Sequence, residues 1–196
     1  PLASSSAEGT AVNQKLDECQ EKSGQIMNEL LARPLTREEF EPFGDVIETD
    51  ATVETIAIND GYAIRYNDLA TVDVLGSGGR PLINIFRSKP RPLPIAIHMM
   101  ERHPLGSQAF ISLQKKKFLV VVAPSGTSVG PEDLSAFITN GLQGVNYARG
   151  VWHFPLISLD EEQDFLVIDR GGPENNCDEM FFNESETRIL KYQATI

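Results

Sequence analysis

Short runs rich in β-branched and aromatic residues recur along most of the chain, separated by Gly, Pro, Asn and Asp. Segments 76–79 and 89–92 are rich in Gly and Pro, which is typical of turns. This pattern predicts a mainly β fold of the sandwich or barrel type. One strand is predicted to begin at Val46, and the others cover residues 63–67, 83–87, 95–103, 107–113, 118–123, 151–157 and 165–169.

Two helices are predicted within this pattern. Thr36 is placed as an N-cap and Glu39 completes a capping box, so a short helix is expected to begin after Thr36 and to end near residues 42–44. A second helix is predicted from Pro131 to the Asn–Gly pair at 140–141, because Pro and acidic residues suit a helix start and Gly a helix stop. We expect this second helix on the outside of the barrel or at a subunit contact.

The beginning of the chain differs from the rest. Residues 1–26 are mostly small and polar, so they are predicted to be a disordered extension or tag, with some helical signal over 13–21. One folded domain is predicted over residues 27–196. The longest apolar run, 118–123, is far shorter than the roughly 18 residues that span a bilayer. With no signal peptide visible, a cytoplasmic protein without a membrane partner is the simplest interpretation.

The charge balance argues against one class of partner. The 28 Asp and Glu outnumber the 17 Lys and Arg, which gives a formal net charge of −11. Because binding a nucleic-acid backbone requires clustered basic residues, no nucleic-acid partner is expected. Cys19 and Cys177 lie far apart and outside any metal or redox spacing, which predicts free thiols in a reducing compartment.

Two polar clusters are the candidates for chemistry. In the first, the two-residue period of a strand places Glu101 and His103 on one face, and Gln108 follows after a turn. In the second, His153 lies three residues after Gly150 in an apolar stretch. Taken singly, the first cluster also fits a solvated strand edge, and the second fits a hydrogen-bonded core histidine.

Together the two clusters have the spacing of a known pair of motifs. Glu101-x-His103-xxxx-Gln108 resembles the first cupin motif and Gly150-x-x-His153 the second, with Glu and Gln at two of the four ligand places. The resemblance implies that these four side chains meet inside a barrel. Such a set of two imidazoles, a carboxylate and an amide can bind a divalent metal, with nickel, manganese, iron and zinc all chemically suitable.

The residues around both motifs resemble a narrower family, the ureidoglycolate lyases of allantoin breakdown in purine catabolism. The main segment is Met-Glu-Arg-His-Pro-Leu-Gly-Ser-Gln-Ala-Phe, and the resemblance extends over about residues 28–185. It implies a cupin-like antiparallel β-barrel with a few short helices, usually a homodimer, that cleaves (S)-ureidoglycolate into glyoxylate and urea. Nickel is associated with some members. The segments that carry the resemblance are 42–47, 100–110, 118–123, 144–156 and 164–172.

The residues offer what such a cleavage needs. A base must take the proton of the substrate hydroxyl, a donor or cation must stabilise the developing oxyanion, and an acid must protonate the leaving nitrogen. Glu101, His103 and His153 are the predicted catalytic residues. Either a metal held by them and Gln108 lowers the pKa of the hydroxyl, or Glu101 or His103 is the base and His153 the acid. The sequence leaves both routes open.

Substrate binding is assigned by residue type. A guanidinium binds a carboxylate bidentately, and an amide or phenol can hydrogen-bond a ureido group. Because the chain is acidic as a whole, the substrate carboxylate must be captured locally rather than by net charge. The arginine candidates are Arg65, Arg87, Arg149 and Arg170, and the predicted binding set is Arg65, Asn67, Asn84, Tyr147 and Arg170.

Two other functions fit the same residues. One is a different metal-dependent cupin that acts on a small hydroxy or keto acid, and the other is a non-catalytic cupin that binds a small acid. Glu101 beside two histidines argues against the second, since a binding pocket needs no acid–base pair.

Overall fold

The computed structural model describes residues 28–193. The predictions of a disordered extension over 1–26 and of helical signal over 13–21 lie outside this range. No helix in the described range is long and apolar enough to cross a membrane. The strands are β1 (Glu29–Leu31), β2 (Arg33–Pro34), β3 (Gly44–Ile47), β4 (Thr55–Ile58), β5 (Ala63–Tyr66), β6 (Arg80–Ser88), β7 (Ile95–Ile97), β8 (Met99–Arg102), β9 (Gln108–Ser112), β10 (Phe118–Ala123), β11 (Ser135–Ile138), β12 (Gly144–Tyr147), β13 (Trp152–His153), β14 (Ile157–Ser158), β15 (Gln163–Gly171), β16 (Asp178–Phe181) and β17 (Arg188–Lys191).

One α-helix, α1 (Arg37–Phe40), and four 3-10 turns complete the described elements. The Thr36 side chain accepts a hydrogen bond from the Glu39 backbone N–H at 3.2 Å, so the predicted N-cap of α1 is confirmed. The 3-10 turns are Glu41–Phe43, Asn59–Gly61, Gly76–Gly78 and Pro131–Asp133.

Two sheets, antiparallel except for the parallel pair of β11 and β2, form the body of the protein. One has the strand order β3-β12-β9-β15-β6, and the other has the order β16-β8-β13-β10-β11-β2, with β14 also paired to β10. The predicted mainly β, cupin-like fold is confirmed. Within the described residues the two sheets face each other as a sandwich and do not join into one closed hydrogen-bonded ring.

Strand β10 shows how the layers are built, because its successive side chains enter two different cores. Phe118, Val120 and Val122 face the inner core between the two main sheets, where Phe118 meets Phe165 of the opposite sheet with ring centroids 5.1 Å apart. The alternate residues, including Val121, face an outer core. A third sheet, of order β1-β17-β7, covers this outer core. The uninterrupted apolar run of β10 is therefore that of a strand buried on both faces.

The second predicted helix is wrong. Only Pro131–Asp133 forms a 3-10 turn, and residues Ser135–Ile138 form strand β11. Ala136 enters the outer core and Phe137 the inner core, so adjacent residues face opposite sides as in a strand. Pairing with β10, in which Ile138 lies opposite Leu119, outweighs the helix-start signal. The helix-start residues cap only the 3-10 turn, where the Asp133 carboxylate accepts a hydrogen bond from the Gly130 N–H at 2.8 Å.

Two predicted strands are interrupted where the outer core requires a bend. The strand predicted over 95–103 is split at the exposed His98 into β7, in the small sheet, and β8, in a main sheet. The strand predicted over 151–157 is split into β13 and β14, with Pro155 between them. Both breaks leave the candidate residues Glu101 and His153 inside a sheet.

Candidate functional site

Glu101 and His153 face each other on neighbouring strands. The pairing of β8 with β13 places His153 directly opposite Glu101, and the pairing of β13 with β10 places it opposite Val122. Val122 belongs to the inner core, so all three side chains lie on the inner face of their sheet. His153 Nε2 lies 3.5 Å from Glu101 Oε1, and only 2% of the His153 side chain is exposed.

The local backbone explains the spacing of the second motif. Gly150 has a φ of +75°, in the left-handed region that glycine adopts without the steric cost of a side chain. The turn reverses the chain just before β13, and the third residue after Gly150 is then His153 on the inner face. The Gly-x-x-His pattern therefore has a structural cause in this chain.

Hydrogen bonds fix the tautomer of both histidines. His103 Nδ1 lies 2.6 Å from the carbonyl of Asn176, and His153 Nδ1 lies 3.1 Å from the carbonyl of Val151. Since a carbonyl can only accept, each Nδ1 carries a proton, and in the neutral ring the Nε2 lone pair is free. Both Nε2 atoms are buried and have no hydrogen-bond partner among the described residues.

Tyr147 forms the wall of the site on the opposite sheet. Its ring stacks on His153 with centroids 4.5 Å apart and an interplanar angle of 24°, while His103 and His153 have ring centroids 5.0 Å apart. Burial raises the pKa of Tyr147 well above its usual value, and the negative charge of Glu101 raises it further. The phenol is therefore neutral at pH 7, and it orders the His153 ring by packing.

Gln108, Asp169 and Asn84 continue the polar cluster across the second sheet. The Gln108 side chain lies beside both His103 and Asp169. The Asn84 amide donates to Asp169 Oδ1 at 2.9 Å. Asp169 is a member of the cluster that the sequence analysis did not include. The signal that could have placed it is the alternation of β15, since Phe165 and Val167 both enter the inner core.

Burial and neighbouring charges set the ionisation of this cluster. For Glu101, burial acts to raise the pKa, but the close approach of His153 and the charge of His103 outweigh it and leave the pKa below its ordinary value. Burial and the charge of His153 lower the pKa of His103. Burial raises the pKa of Asp169 in spite of the bonds from Gln108 and Asn84. At neutral pH Glu101 is therefore ionised and His103 is neutral.

The residues present fit a divalent cation. One donor atom each from Glu101, His103 and His153 can be chosen so that all lie within 4.8 Å of one another. Two of these donors are the unpartnered Nε2 atoms, and imidazole with carboxylate suits transition metals. The Nδ1–H bonds to backbone carbonyls are the outer contacts that hold metal-binding histidines in place. The predicted fourth ligand, Gln108, lies beside His103.

Other predicted binding residues lie outside this cluster or are engaged elsewhere. Arg65 and Asn67 belong to the β4–β5 hairpin and its end; Arg65 is exposed, and the Asn67 amide donates to Glu54 at 2.9 Å. Arg170 is buried, and its guanidinium donates to the carbonyls of Gly76, Ser77 and Pro173 at 3.1 Å each. Of the two remaining arginine candidates, Arg87 pairs with Asp164 and Arg149 with Asp73.

Sandwich and cluster together define a class: a cupin-like protein with an acid–base or metal-binding group between its sheets. The family model for ureidoglycolate lyase matches residues 27–189. The chain belongs to the ureidoglycolate lyase family.

Curated relatives with the same name cover most of the chain. A ureidoglycolate lyase of Burkholderia mallei (strain NCTC 10229) is 54% identical over 159 residues, which are 81% of this chain and 92% of the relative. One from Pseudomonas paraeruginosa (strain DSM 24068 / PA7) is 51% identical over 168 residues, 86% of this chain and 99% of the relative. One from Pseudomonas syringae pv. syringae (strain B728a) is 49% identical over 164 residues, 84% of this chain and 96% of the relative.

Proposed function

We propose that this chain is a lyase that cleaves (S)-ureidoglycolate into glyoxylate and urea in allantoin degradation. The observation that supports this most directly is the inward-facing trio of Glu101, His103 and His153, in a chain about half identical to proteins named ureidoglycolate lyase. The trio contains an ionised carboxylate and two imidazoles whose Nε2 atoms are free to exchange a proton or bind a cation.

The proposed reaction moves one proton and breaks one bond. The substrate carbon carries a hydroxyl, a carboxylate and the ureido nitrogen. As the hydroxyl loses its proton, its electron pair forms the carbonyl of glyoxylate, and the pair of the carbon–nitrogen bond leaves with the nitrogen. Protonation of that nitrogen completes urea, so no water, oxidant or reductant is consumed.

The three residues have separate roles in this proposal. His103 Nε2 takes the hydroxyl proton, because burial lowers the pKa of His103 and keeps its ring neutral at pH 7. His153 delivers a proton to the leaving nitrogen, and the Glu101 carboxylate lies 3.5 Å from its Nε2. The proton taken up by His103 returns to His153 through solvent before the next turnover, so the enzyme gains and loses none. Tyr147 holds the His153 ring in position by stacking.

We also propose that the cluster holds a divalent metal. Glu101, His103, His153 and Gln108 would hold it, and its bound form would supply Lewis-acid activation of the substrate hydroxyl. Nickel is the expectation from the family resemblance. In this form both histidines are neutral ligands through Nε2, in agreement with the tautomers that their Nδ1 bonds require.

The substrate groups are proposed to bind beside the cluster. Asn84 and Tyr147 line it from the sheet opposite Glu101, and they are the nearest of the predicted binding set. Arg65 and Asn67 would reach it only through movement of the β4–β5 hairpin or from a second subunit. Arg170 retains one unbonded guanidinium nitrogen, its buried Nε, among the described contacts.

A homodimer is proposed from the apolar surface of the edge strand. Strand β6 ends the sheet β3-β12-β9-β15-β6, and its outward Ile83 and Ile85 are 76% and 56% exposed. Ile64 and Tyr62 of the neighbouring segment of chain are also exposed. Exposed apolar edge strands pair readily with another chain, and a second copy would cover this one.

We further propose a cytoplasmic enzyme whose residues 1–26 are not needed for activity.

The test is release of glyoxylate from racemic ureidoglycolate. We expect release well above the spontaneous rate, with half of the racemate consumed quickly, and we expect the rate to respond to chelation and to added divalent metal. Absence of release above the spontaneous rate, with or without added metal, would overturn the lyase assignment. Turnover of other small hydroxy acids in preference to ureidoglycolate would favour the second candidate, a metal-dependent cupin of different specificity.

A further inference from the structure

A second group of metal-ligating side chains lies on the other side of Glu101. The pairing of β16 with β8 places Glu179 directly opposite Glu101, just as His153 lies opposite Glu101 on β13. The three residues therefore form one row across three strands. Cys177, which precedes β16, brings a thiol to the same place: donor atoms of Glu101, Cys177 and Glu179 all lie within 4.8 Å of one another.

No lysine or arginine in the described part of the chain balances the charge of the two carboxylates. Like charges directly opposite each other on paired strands destabilise a sheet. Among the residues that the structure describes, no Lys or Arg forms an ion pair with Glu101 or Glu179, and the neighbouring Asp178 is paired with Arg102 at 2.8 Å. On its other side Glu101 faces the buried His153, whose Nε2 has no hydrogen-bond partner in the described range. A cation between the carboxylates would remove the repulsion.

We propose that Glu101, Cys177 and Glu179 form a second cation site, which takes a thiolate-preferring divalent ion such as Zn²⁺ or Cd²⁺ and inhibits the enzyme when filled. Thiolate ligands select such ions over Mg²⁺ or Ca²⁺. Binding exchanges the thiol proton for the metal ion, so one proton is released for each ion bound. Cys177 and Glu179 are both exposed, so the site is open to solvent, unlike the buried histidines.

Inhibition follows from the shared carboxylate. Glu101 belongs to both groups of ligands. An ion held by Cys177 and Glu179 therefore neutralises the negative charge of Glu101 beside His153. The histidine that we assign as the acid then loses its partner. This inhibitory effect rests on the proposed lyase function, whereas binding of the ion does not.

Cobalt is a suitable probe because thiolate–Co²⁺ binding produces a charge-transfer absorbance in the near ultraviolet. Co²⁺ is titrated into the full-length, chelator-treated protein and into three variants. We expect the band in the unmodified protein and its loss in Cys177→Ser. The matched control is Cys19→Ser, which removes the other cysteine and should keep the band. Glu179→Gln should weaken Co²⁺ binding by about tenfold or more, the range in which even outer contacts of a metal affect its affinity.

A His153→Ala variant decides whether there are two sites or one. Retention of the thiolate band in this variant supports a separate site, whereas its loss would assign Cys177 to the inner cluster and overturn the proposal. A missing band in the unmodified protein, or a band that persists in Cys177→Ser, would also overturn it. None of these outcomes requires lyase activity, so failure of the proposed function remains distinguishable.

Inhibition of glyoxylate release by Zn²⁺ is the second part of the test. Micromolar-range Zn²⁺ should slow glyoxylate release by the unmodified protein and by Cys19→Ser, and it should have much less effect on Cys177→Ser. Equal inhibition of all three proteins would contradict the inhibitory role while leaving the spectroscopic result for the site itself intact.

Discussion

The backbone N–H of Gly150 donates a hydrogen bond to the carbonyl of His103 over 2.9 Å. This bond joins the turn before β13 to the end of β8, so the two segments that carry the histidines are tied together by main-chain atoms. The left-handed φ of Gly150, +75°, is needed for the turn to reach that carbonyl.

Gly150→Ala should therefore lower both stability and activity. A side chain in the left-handed region costs about 1–2 kcal/mol in the free energy of unfolding, and relaxation of the turn would displace His153. The matched control is Gly61→Ala, since Gly61 also has a positive φ, +88°, and open space around it but lies in the β4–β5 hairpin. Denaturant unfolding and turnover would be measured for both. Equal loss of activity in the two variants would contradict the positioning role of Gly150.

Glu101→Gln should reduce turnover while the fold is kept. The substitution preserves size but removes the negative charge 3.5 Å from His153 Nε2, and acid–base groups typically contribute about 10²- to 10⁴-fold to rate. Glu38→Gln is the matched control, because it removes an exposed carboxylate of α1 that belongs to neither group of candidate ligands. Full activity of Glu101→Gln in the glyoxylate assay would refute its place in the site.

The mainly β, cupin-like fold was predicted correctly, and the catalytic role of Glu101, His103 and His153 stays a prediction. The two-residue period of a strand placed Glu101 and His103 on one face, and the resemblance to the two cupin motifs added His153. The capping box of α1 was also predicted from sequence, since Thr36 and Glu39 are only three residues apart. The contact of the capping box involves neighbours in sequence, whereas the pairing of β8 with β13 brings Glu101 to His153.

The parts that sequence missed depend on distant partners. Strand β11 carries a good helix start at Pro131, and only its pairing with β10 makes it a strand. Asp169 joins the site through Asn84 and Gln108, which lie far away in the chain. Glu179 is placed beside Glu101 only by the register of β16, a strand that local pattern did not predict.

Stability of the metal-free protein should fall as the pH drops below about 6.5, the ordinary pKa of histidine. The pKa of His103 is lowered in the folded state by burial and by the charge of His153. Between the lowered and the ordinary value, the unfolded chain binds the extra proton, so acid favours unfolding in that window. His103→Gln should reduce this pH dependence, whereas His98→Gln, which changes an exposed ring, should retain it. Denaturation midpoints at several pH values, with chelator present, would measure the effect. An unchanged slope in His103→Gln would show that His103 is not the cause.

Arg170→Ala should destabilise the protein strongly. The buried guanidinium donates to the carbonyls of Gly76, Ser77 and Pro173, and its loss leaves them without charged donors. We expect a decrease of about 3 kcal/mol in the free energy of unfolding. Arg87→Ala should cost far less, because its ion pair with Asp164 is open to solvent. Arg170→Lys separates structure from binding: a higher KM at full stability would assign Arg170 to the substrate carboxylate instead of the 76–78 turn.

If the proposed homodimer forms through β6, Ile85→Lys should convert it into a monomer. Ile85 lies on the outer face of the edge strand β6, where a buried lysine charge would face apolar side chains of the second copy. Leu142→Lys is the matched control, since Leu142 is 67% exposed in the turn between β11 and β12, away from that edge. Light scattering after size-exclusion chromatography would give the mass of each protein. A monomeric unmodified protein, or a dimer that persists in Ile85→Lys, would rule out the β6 edge as the interface. If the monomer also loses turnover while remaining folded, the second copy contributes to the site, and Arg65 of the β4–β5 hairpin becomes the first residue to test.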